Sequence, residues 1–248
     1  MSGLLIIALG LKLMSEEILK ELDIDHFRSA FSKYTIEAFQ KLPKLDRPRI
    51  LDIGCGSGVP TMELAKLSDG EIIGIDIDQK RLDKLKKKIE KEGLSHRVKA
   101  IKCSLLDIKF PDNSFDIIWA EGTLTTLGVE KSLVSWNRLL KDEGFMVVHD
   151  EIKHFFEQRD EVDRCGYKFI EHFSLPEIAW WEEYYQPLEI RLQELCKKYA
   201  TDQAALKVLK VHQNEVDIVK ASPKSFQSVF CIMQKLEKKV ENHLFQIM

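Results

Sequence analysis

A glycine-rich turn directly after a short apolar run is the feature that most limits what this chain can fold into. Residues 49–54 read Arg-Ile-Leu-Asp-Ile-Gly, and the turn continues as acid-x-Gly-x-Gly-x-Gly through Asp52, Gly54, Gly56 and Gly58. An apolar run that ends in glycine is typical of a buried parallel strand, and glycines let a backbone approach a ligand at the start of the next helix. The pattern therefore predicts an α/β protein with a ligand site at this turn.

Strand and helix patterns alternate on both sides of the turn. Further strands are predicted over residues 71–77, 97–103, 115–121, 145–151, 166–173 and 225–236. Helices are predicted over 15–42, 60–67, 78–93, 129–140, 176–199 and 202–220, with a break at Pro187. This alternation predicts a mostly parallel sheet with helices on both faces. We expect an N-terminal helical cap over 1–44 and a main domain over 45–248, with a helical insertion at about 174–222.

Composition argues against binding to nucleic acid through bulk positive charge. The 248 residues carry a net charge of −3, and 44% of them are hydrophobic, which is enough for a sizeable core. The run 80–92 holds seven basic and three acidic residues, and a solvated helix face explains it better than a nucleic-acid patch. We therefore expect no nucleic-acid partner.

The cysteines and the apolar segments argue against a disulfide-rich, a metal-binding or a membrane-inserted protein. Five cysteines are widely spread and none forms a Cys-x-x-Cys pair, so we expect neither a disulfide framework nor a metal site, and a reducing cytoplasm. The sequence has no apolar run of about 18 residues or more, so stable membrane insertion is not expected. The apolar segment 3–13 lacks the marks of a signal peptide. It is a packed N-terminal element, a stretch before a true start at Met14, or a membrane-touching segment.

The next acidic residue at a strand end favours a ligand that carries a ribose. Asp76 follows Gly54 by 22 residues, and a carboxylate at this place accepts hydrogen bonds from ribose hydroxyls. Asp78 fits better as the cap of the following helix, which leaves Asp76 for the ligand. In the dinucleotide-binding fingerprint, the sixth position counted from the first glycine is glycine or alanine, whereas Val59 stands at that position here. This difference argues against a nicotinamide dinucleotide as the ligand.

Several motifs in the same order resemble those of class I S-adenosylmethionine-dependent methyltransferases. The segments are LDIGCGSG, GIDID, FPDNSFDIIWAEG and LLKDEGFMVV, and the resemblance covers about residues 45–150. It is greatest with the small-molecule branch, the methyltransferase type 11 group that includes quinone-biosynthesis enzymes. The resemblance implies a Rossmann-like, seven-stranded sheet in the order 3-2-1-4-5-7-6, with the last strand antiparallel. It also implies S-adenosyl-L-methionine as the cofactor.

The resemblance assigns cofactor contacts to particular residues. Gly54 and Gly56 pass under the methionine part and the ribose, and Asp52 orients the loop and the cofactor amino group. Asp76 holds the ribose diol, and Ile77 packs on the adenine.

The third and fourth strands end in further cofactor residues, with one departure from the family. Relatives often have Gly-Asp-Ala after the third strand, whereas this chain has Cys103, Ser104 and Leu105. Ser104 has no charge for the adenine amino group, although Leu105 still offers a backbone N–H. Glu121, at the end of the fourth strand, approaches the methionine amino group.

Methyl transfer needs a base only when the acceptor loses a proton. The candidates for a catalytic role are His149, whose ordinary pKa lies near neutrality, and Glu121. Trp181 and Tyr185 lie on an aromatic helix face, and Tyr34 lies on the N-terminal helix. These three side chains either contact the acceptor or belong to a hydrophobic core.

The sequence predicts a methyltransferase that acts on a small-molecule acceptor as a monomer or homodimer. Three alternatives stay open. They are a nicotinamide-dependent oxidoreductase, a protein that binds S-adenosylmethionine without catalysis, and a methyltransferase that uses its lysine-rich helix to act on a macromolecule.

Overall fold

The computed structural model describes residues 15–151 and 159–237, which divide into two compact units. The sheet unit comprises Ala38–Phe173 and the chain from Val229 onward. The helical unit comprises the chain up to Glu37 together with Ser174–Ser228. The segment 3–13 and the choice between Met1 and Met14 lie outside the described residues.

The seven strands of the sheet have the order β3-β2-β1-β4-β5-β7-β6, which confirms the predicted topology. They are β1 (Ile50–Ile53), β2 (Ile72–Asp76), β3 (Val98–Lys102), β4 (Phe115–Glu121), β5 (Leu140–Glu151), β6 (Tyr167–Ser174) and β7 (Ser228–Lys235). The pairs β1–β2, β2–β3, β1–β4 and β4–β5 are parallel. Hydrogen bonds from Leu236 N to Gly166 O and from Leu175 N to Ser228 O make β7 antiparallel to β6.

Helices precede β1 and lie in most of the connections between strands. They are α1 (Ile24–Arg28), α2 (Ser32–Gln40), α3 (Val59–Leu67), α4 (Gln79–Lys91), α5 (Leu124–Leu127), α6 (Val129–Asn137), α7 (Arg159–Arg164), α8 (Gln186–Lys198) and α9 (Gln203–Ala221). Residues 15–22 are also helical, Ser29–Phe31 and Pro223–Phe226 form 3₁₀ turns, and Trp180–Tyr185 form a π-helix.

Helix α4 shows how the sequence sets these elements. It begins where the Asp78 carboxylate accepts hydrogen bonds from Lys80 N and Arg81 N, as the N-cap prediction required. It ends before Gly93, whose positive φ no side chain favours. Leu82, Leu85 and Ile89 are its buried residues. The lysines of the basic run therefore lie on the other faces of the helix, mostly exposed, as a solvated face requires.

The core of the sheet unit lies between the sheet and these helices. Every residue of β1 and β2 is buried, as expected for parallel strands that are covered on both faces. Trp119 and Trp136 are among its largest fully buried side chains. This core holds the carboxyl ends of the central strands in place, where the predicted ligand turn lies.

Two predicted boundaries in the chain are wrong. The predicted helix over 15–42 is interrupted at Asp23, which takes a left-handed conformation. Strand β5 begins at Leu140, not at 145, because Leu140 pairs with Phe115 across an irregularity in the ladder. The Lys141 amine then binds the Asp116 carboxylate, so a segment of turn-like composition becomes part of the strand.

In the helical unit the predicted break at Pro187 does not occur. The π-helix runs directly into α8, and Pro187 stands in the first turn of that helix. Pro187 has no N–H to donate within this continuous helical segment, and it lies where the π-helix changes to α-helix. Phe31, Trp180 and Tyr184 pack together, with 4.4 Å between the ring centroids of the first two. Across the described ranges, no helix combines the length and apolar character that a bilayer crossing requires.

Candidate functional site

The glycine turn is anchored at the carboxyl ends of β1 and β2. The backbone N–H groups of Gly54 and Cys55 both donate to Ile75 O, at 2.8 and 3.0 Å. Gly54 has a φ of +74°, and a Cβ placed on it would come within 2.0 Å of Thr123 Cγ2. Only glycine satisfies both conditions, so the turn presents bare backbone at this point.

Asp76 organises the turn with its carboxylate. Oδ2 accepts a hydrogen bond from Gly56 N at 2.9 Å, and Oδ1 accepts one from Asp78 N at 2.8 Å. Each carboxylate oxygen accepts more than one hydrogen bond, so the same group still has capacity for hydroxyl donors. The predicted glycine and ribose residues are therefore brought together at one place.

Asp52 is a buried carboxylate, with 2% of its surface exposed. Burial, together with the nearby charges of Glu121 and Asp76, raises its pKa to about 7. The Thr61 hydroxyl donates to Asp52 Oδ2 and opposes this rise. The carboxylates of Asp76 and Glu121 therefore both act on the buried Asp52, which suits a ligand that carries positive charge.

The raised pKa of Asp52 predicts a pH-dependent stability. The folded protein retains this proton up to about pH 7, whereas the unfolded chain releases it near pH 4, so ionisation of Asp52 destabilises the fold as the pH rises between these values. The uncharged Asp52→Asn variant should lack this loss. We expect the difference between the Tm of Asp52→Asn and the Tm of wild type to rise in favour of the variant by about 2–4 °C per pH unit between pH 5 and 7. Calorimetric scans without ligand measure it, and a constant difference in Tm would contradict the assignment.

The residues predicted to contact adenine lie after β2 and β3. Ile77 is 67% exposed and directly follows Asp76. Cys103 N donates to Asp76 O at 2.9 Å, which ties the end of β3 to the end of β2. Ser104 Oγ accepts a hydrogen bond from Leu106 N, and Leu105 packs partly against the core. The Ser104 hydroxyl thus stabilises the turn in which Ser104 itself lies.

Glu121 and His149 form a buried pair across neighbouring strands. They lie opposite each other in the β4–β5 register, and His149 Nδ1 is 3.8 Å from Glu121 Oε2. Their side chains are only 4% and 3% exposed, respectively. The other carboxylate oxygen of Glu121 accepts a hydrogen bond from Trp119 Nε1 at 2.9 Å. The two residues predicted for catalysis are therefore in contact.

The three predicted acceptor residues lie in the helical unit. The Tyr34 hydroxyl donates to Glu183 Oε1 at 2.7 Å, and burial together with this carboxylate raises the pKa of Tyr34. The Lys220 amine lies 5.6 Å from the centre of the Trp181 ring. Tyr185 packs edge-on against Tyr184, with 4.7 Å between ring centroids, and burial raises its pKa. Each of them takes part in the packing of this unit.

Sequence reasoning missed three residues of the site. Thr61 donates to Asp52, Thr123 contacts Gly54, and Trp119 donates to Glu121. A threonine in the first turn after a glycine loop was a usable signal for Thr61, and Trp119 stands two residues before Glu121, which places both side chains on one face of the strand. Only the closeness of Thr123 to Gly54 depends on how distant segments are arranged in space. Across residues 15–151 and 159–237, no group of three or more His, Cys, Asp or Glu side chains is arranged to hold a metal ion.

The strand order and the glycine turn at the end of β1 define a class of protein, the Rossmann-like class I methyltransferases. Residues 51–148 match the family model described as a methyltransferase domain. Residues 51–148 therefore have the sequence of a methyltransferase domain, and the sheet around them has the strand order of the class I fold.

Individual relatives agree with this domain. A sterol 24-C-methyltransferase of Aspergillus fumigatus is 34% identical over 103 residues, which cover 41% of this chain and 27% of the relative. An uncharacterized methyltransferase of Schizosaccharomyces pombe is 26% identical over 204 residues, covering 79% of this chain and 66% of the relative. The chain thus matches only about a quarter to two fifths of the length of the first few curated relatives.

Solved structures share the fold at low sequence identity. The [4+2]-cyclase SpnF has a TM-score of 0.69 and 18% identity, with 84% of this chain and 82% of that chain covered. A methyltransferase from Geobacter sulfurreducens, solved with S-adenosyl-L-homocysteine, has a TM-score of 0.66 and 16% identity, with coverages of 83% and 90%. One of these two neighbours is described as a cyclase, so the fold alone does not establish methyl transfer.

Proposed function

We propose that this protein transfers a methyl group from S-adenosyl-L-methionine to a small-molecule acceptor. The observation that carries the proposal is a turn of bare backbone at Gly54, where the Asp76 carboxylate accepts a hydrogen bond from Gly56 N. The carboxylates of Asp76 and Glu121 also act on the buried carboxyl group of Asp52. S-adenosylmethionine has an ammonium and a sulfonium group as well as a ribose diol. Its charges and hydroxyls match these carboxylates.

Each residue of the site has a role in holding the cofactor. The backbone of Gly54 and Gly56 lies beneath the methionine part and the ribose, and Asp76 accepts hydrogen bonds from the ribose hydroxyls. Asp52 and Glu121 face the ammonium group, so the charge of the cofactor lowers the electrostatic cost of ionising Asp52.

The adenine end is held by less polar groups. Ile77 offers an exposed aliphatic face for the ring, and Ser104 and Leu105 lie in the turn beyond β3. When bound, the cofactor supplies a methyl group already activated by its positively charged sulfur. The protein therefore contributes alignment, electrostatic balance and exclusion of water.

Three further parts of the proposal rest on sequence. Tyr34, Trp181 and Tyr185 contact the acceptor, and the protein is a monomer or homodimer. The third part is a reducing compartment such as the cytoplasm, which agrees with five cysteines that form no disulfide.

Calorimetric titration of the purified protein with S-adenosylmethionine, S-adenosylhomocysteine and NAD tests the cofactor. We expect micromolar affinity for the first two and no measurable heat with NAD. Tight binding of NAD without S-adenosylmethionine would favour the oxidoreductase alternative and contradict the proposal.

A screen with S-adenosylmethionine labelled on the methyl group then tests the reaction. The panel contains alcohols, phenols, amines, thiols and sterols, and mass analysis locates the label in the product. Tight cofactor binding without transfer to any member of this panel would favour the non-catalytic alternative or a cyclase-like activity.

A further inference from the structure

One face of helix α4 in the sheet unit forms a lysine ridge. Its members are four exposed lysines at helical spacing, Lys80, Lys84, Lys87 and Lys91. At 3.6 residues per turn these positions fall within an arc of about 60° and extend over about 16 Å of the helix. The buried residues Leu82, Leu85 and Ile89 lie on the opposite side of the helix. The lysine ridge therefore points away from the sheet, into solvent.

The positive charge of the lysine ridge is poorly balanced by neighbouring acids. Lys84, Lys87 and Lys91 form no ion pair within the part of the chain that the structure describes. The nearby Asp83 carboxylate accepts a hydrogen bond from the Gln79 amide instead. Exposed lysines on other elements do contact carboxylates, as in the pairs Lys66–Glu63, Lys99–Glu71, Lys141–Asp116 and Lys220–Glu189. Like charges three or four residues apart destabilise a helix, so the lysine ridge does not serve the stability of α4.

The basic residues of the chain are concentrated around this helix. Residues 79–109, which include α4 and the strand β3 that it packs against, hold eleven Lys and Arg side chains and only four Asp and Glu side chains. The whole chain has a net charge of −3, so the rest of it carries an excess of acidic residues. A separation of charge of this kind attracts an anionic partner to the basic part of the surface.

The residue types around the lysine ridge favour lipid headgroups over nucleic acid. Proteins that bind RNA or single strands commonly stack bases on aromatic or arginine side chains. Residues 78–109 contain no Phe, Tyr or Trp. Their two arginines are engaged within the fold, since Arg97 donates to three backbone carbonyl groups and Arg81 Nε lies 3.7 Å from an Asp78 carboxylate oxygen. Ammonium groups without a stacking partner fit a surface of many mobile phosphate groups.

We propose that the lysine ridge binds the surface of a bilayer that contains anionic phospholipids. The contact is electrostatic and reversible, because the four positions of the ridge carry no apolar side chain that would enter the hydrocarbon. Each lysine close to an anionic surface raises the affinity by about fivefold. The inference does not depend on the proposed function, since the ridge has no role in holding the cofactor.

Sedimentation of the full chain with lipid vesicles tests this contact. One set of vesicles contains phosphatidylcholine alone, and the other contains about one third phosphatidylglycerol. At about 50 mM salt we expect the protein to sediment with the anionic vesicles only. Salt at about 0.5 M should release it, because screening then shortens the range of the attraction to a few ångströms.

Two triple variants of equal net charge separate the lysine ridge from charge in general. The ridge variant combines Lys84→Gln, Lys87→Gln and Lys91→Gln, and its affinity for anionic vesicles should fall at least about 30-fold. Its Tm should not fall, because glutamine is a good helix former and the repulsion within α4 decreases. The control variant replaces three exposed lysines that lie on separate elements of the sheet unit, Lys44→Gln, Lys131→Gln and Lys168→Gln. Its affinity should stay within about threefold of wild type.

Three results would overturn the proposal. They are wild-type protein that ignores anionic vesicles at low salt, equal binding by the two triple variants, and a ridge-dependent affinity for a duplex RNA probe without vesicle binding. The last result would assign the lysine ridge to nucleic acid. Calorimetry with S-adenosylmethionine on the same samples keeps the proposed function separate, because cofactor binding without vesicle binding contradicts only the lipid contact. Vesicle binding without cofactor binding contradicts only the proposed function.

Discussion

Replacement of Gly54 by alanine is expected to destabilise the protein by about 3 kcal/mol or more. The added methyl group overpacks the turn, and alanine disfavours the left-handed backbone conformation of this position. The new Cβ would lie 2.0 Å from Thr123 Cγ2 at a φ of +74°. In thermal unfolding the Tm should fall by about 6–12 °C. We also expect the loss of measurable cofactor binding, since the turn must shift to relieve the contact.

Two matched variants separate the causes of this effect. Gly93 has a similar φ of +68°, and a Cβ added there would meet nothing within 4 Å, so Gly93→Ala isolates the backbone strain at about 1 kcal/mol. The double variant Gly54→Ala, Thr123→Ser lacks the Cγ2 methyl group that the new Cβ would contact. Its Tm should therefore recover to near that of Gly93→Ala. Equal Tm values for Gly54→Ala and Gly93→Ala would show that Thr123 does not restrict the turn.

Removal of the Asp76 carboxylate should have the second large effect. Asp76→Ala loses the acceptor of the Gly56 and Asp78 N–H groups as well as the proposed ribose contact. We expect the affinity for S-adenosylmethionine to fall at least tenfold, about 1.4 kcal/mol, when it is measured by calorimetry.

Asp78→Ala is the control for this experiment. It removes a carboxylate two residues further on, which caps α4 and has no proposed role in binding. Its stability should fall by about 1 kcal/mol while its affinity stays within about threefold of wild type. If Asp76→Ala binds the cofactor like wild type, the ribose assignment is wrong.

Local patterns were sufficient to predict most of the fold. Apolar runs such as 49–54 and 71–77 are long enough and regular enough to mark buried strands, and Asp78 marks the start of α4 by its own capping bond. The motif resemblance then supplied the strand order, which no local pattern contains.

The start of β5 was not predictable in this way. Residues 141–144 have a turn-like composition, and only the pairing of Leu140 with Phe115 and of Lys141 with Asp116 makes them part of a strand. Tertiary contacts outweigh intrinsic preference at such a place.

Some residues of the candidate site could also be predicted from the sequence, whereas others could not. Asp52, Gly54, Gly56 and Asp76 were found because their spacing along the chain follows from one strand–turn–helix–strand unit. Thr123 was not predicted, because its closeness to Gly54 joins segments that are about 70 residues apart in the chain. The stack of His149 on Phe230 joins strands that are distant in sequence, so no spacing rule reveals it.

The position of β7 has a consequence for how the protein is made on the ribosome. β7 lies between β5 and β6 in the sheet, yet it is the last strand along the chain. Until residues 228–235 have been synthesised, β6 has no neighbour to pair with and β5 keeps an open edge. An open edge of this kind is a template for wrong pairing. The sheet can therefore close only after β7 has been synthesised, so β5 and β6 are joined last.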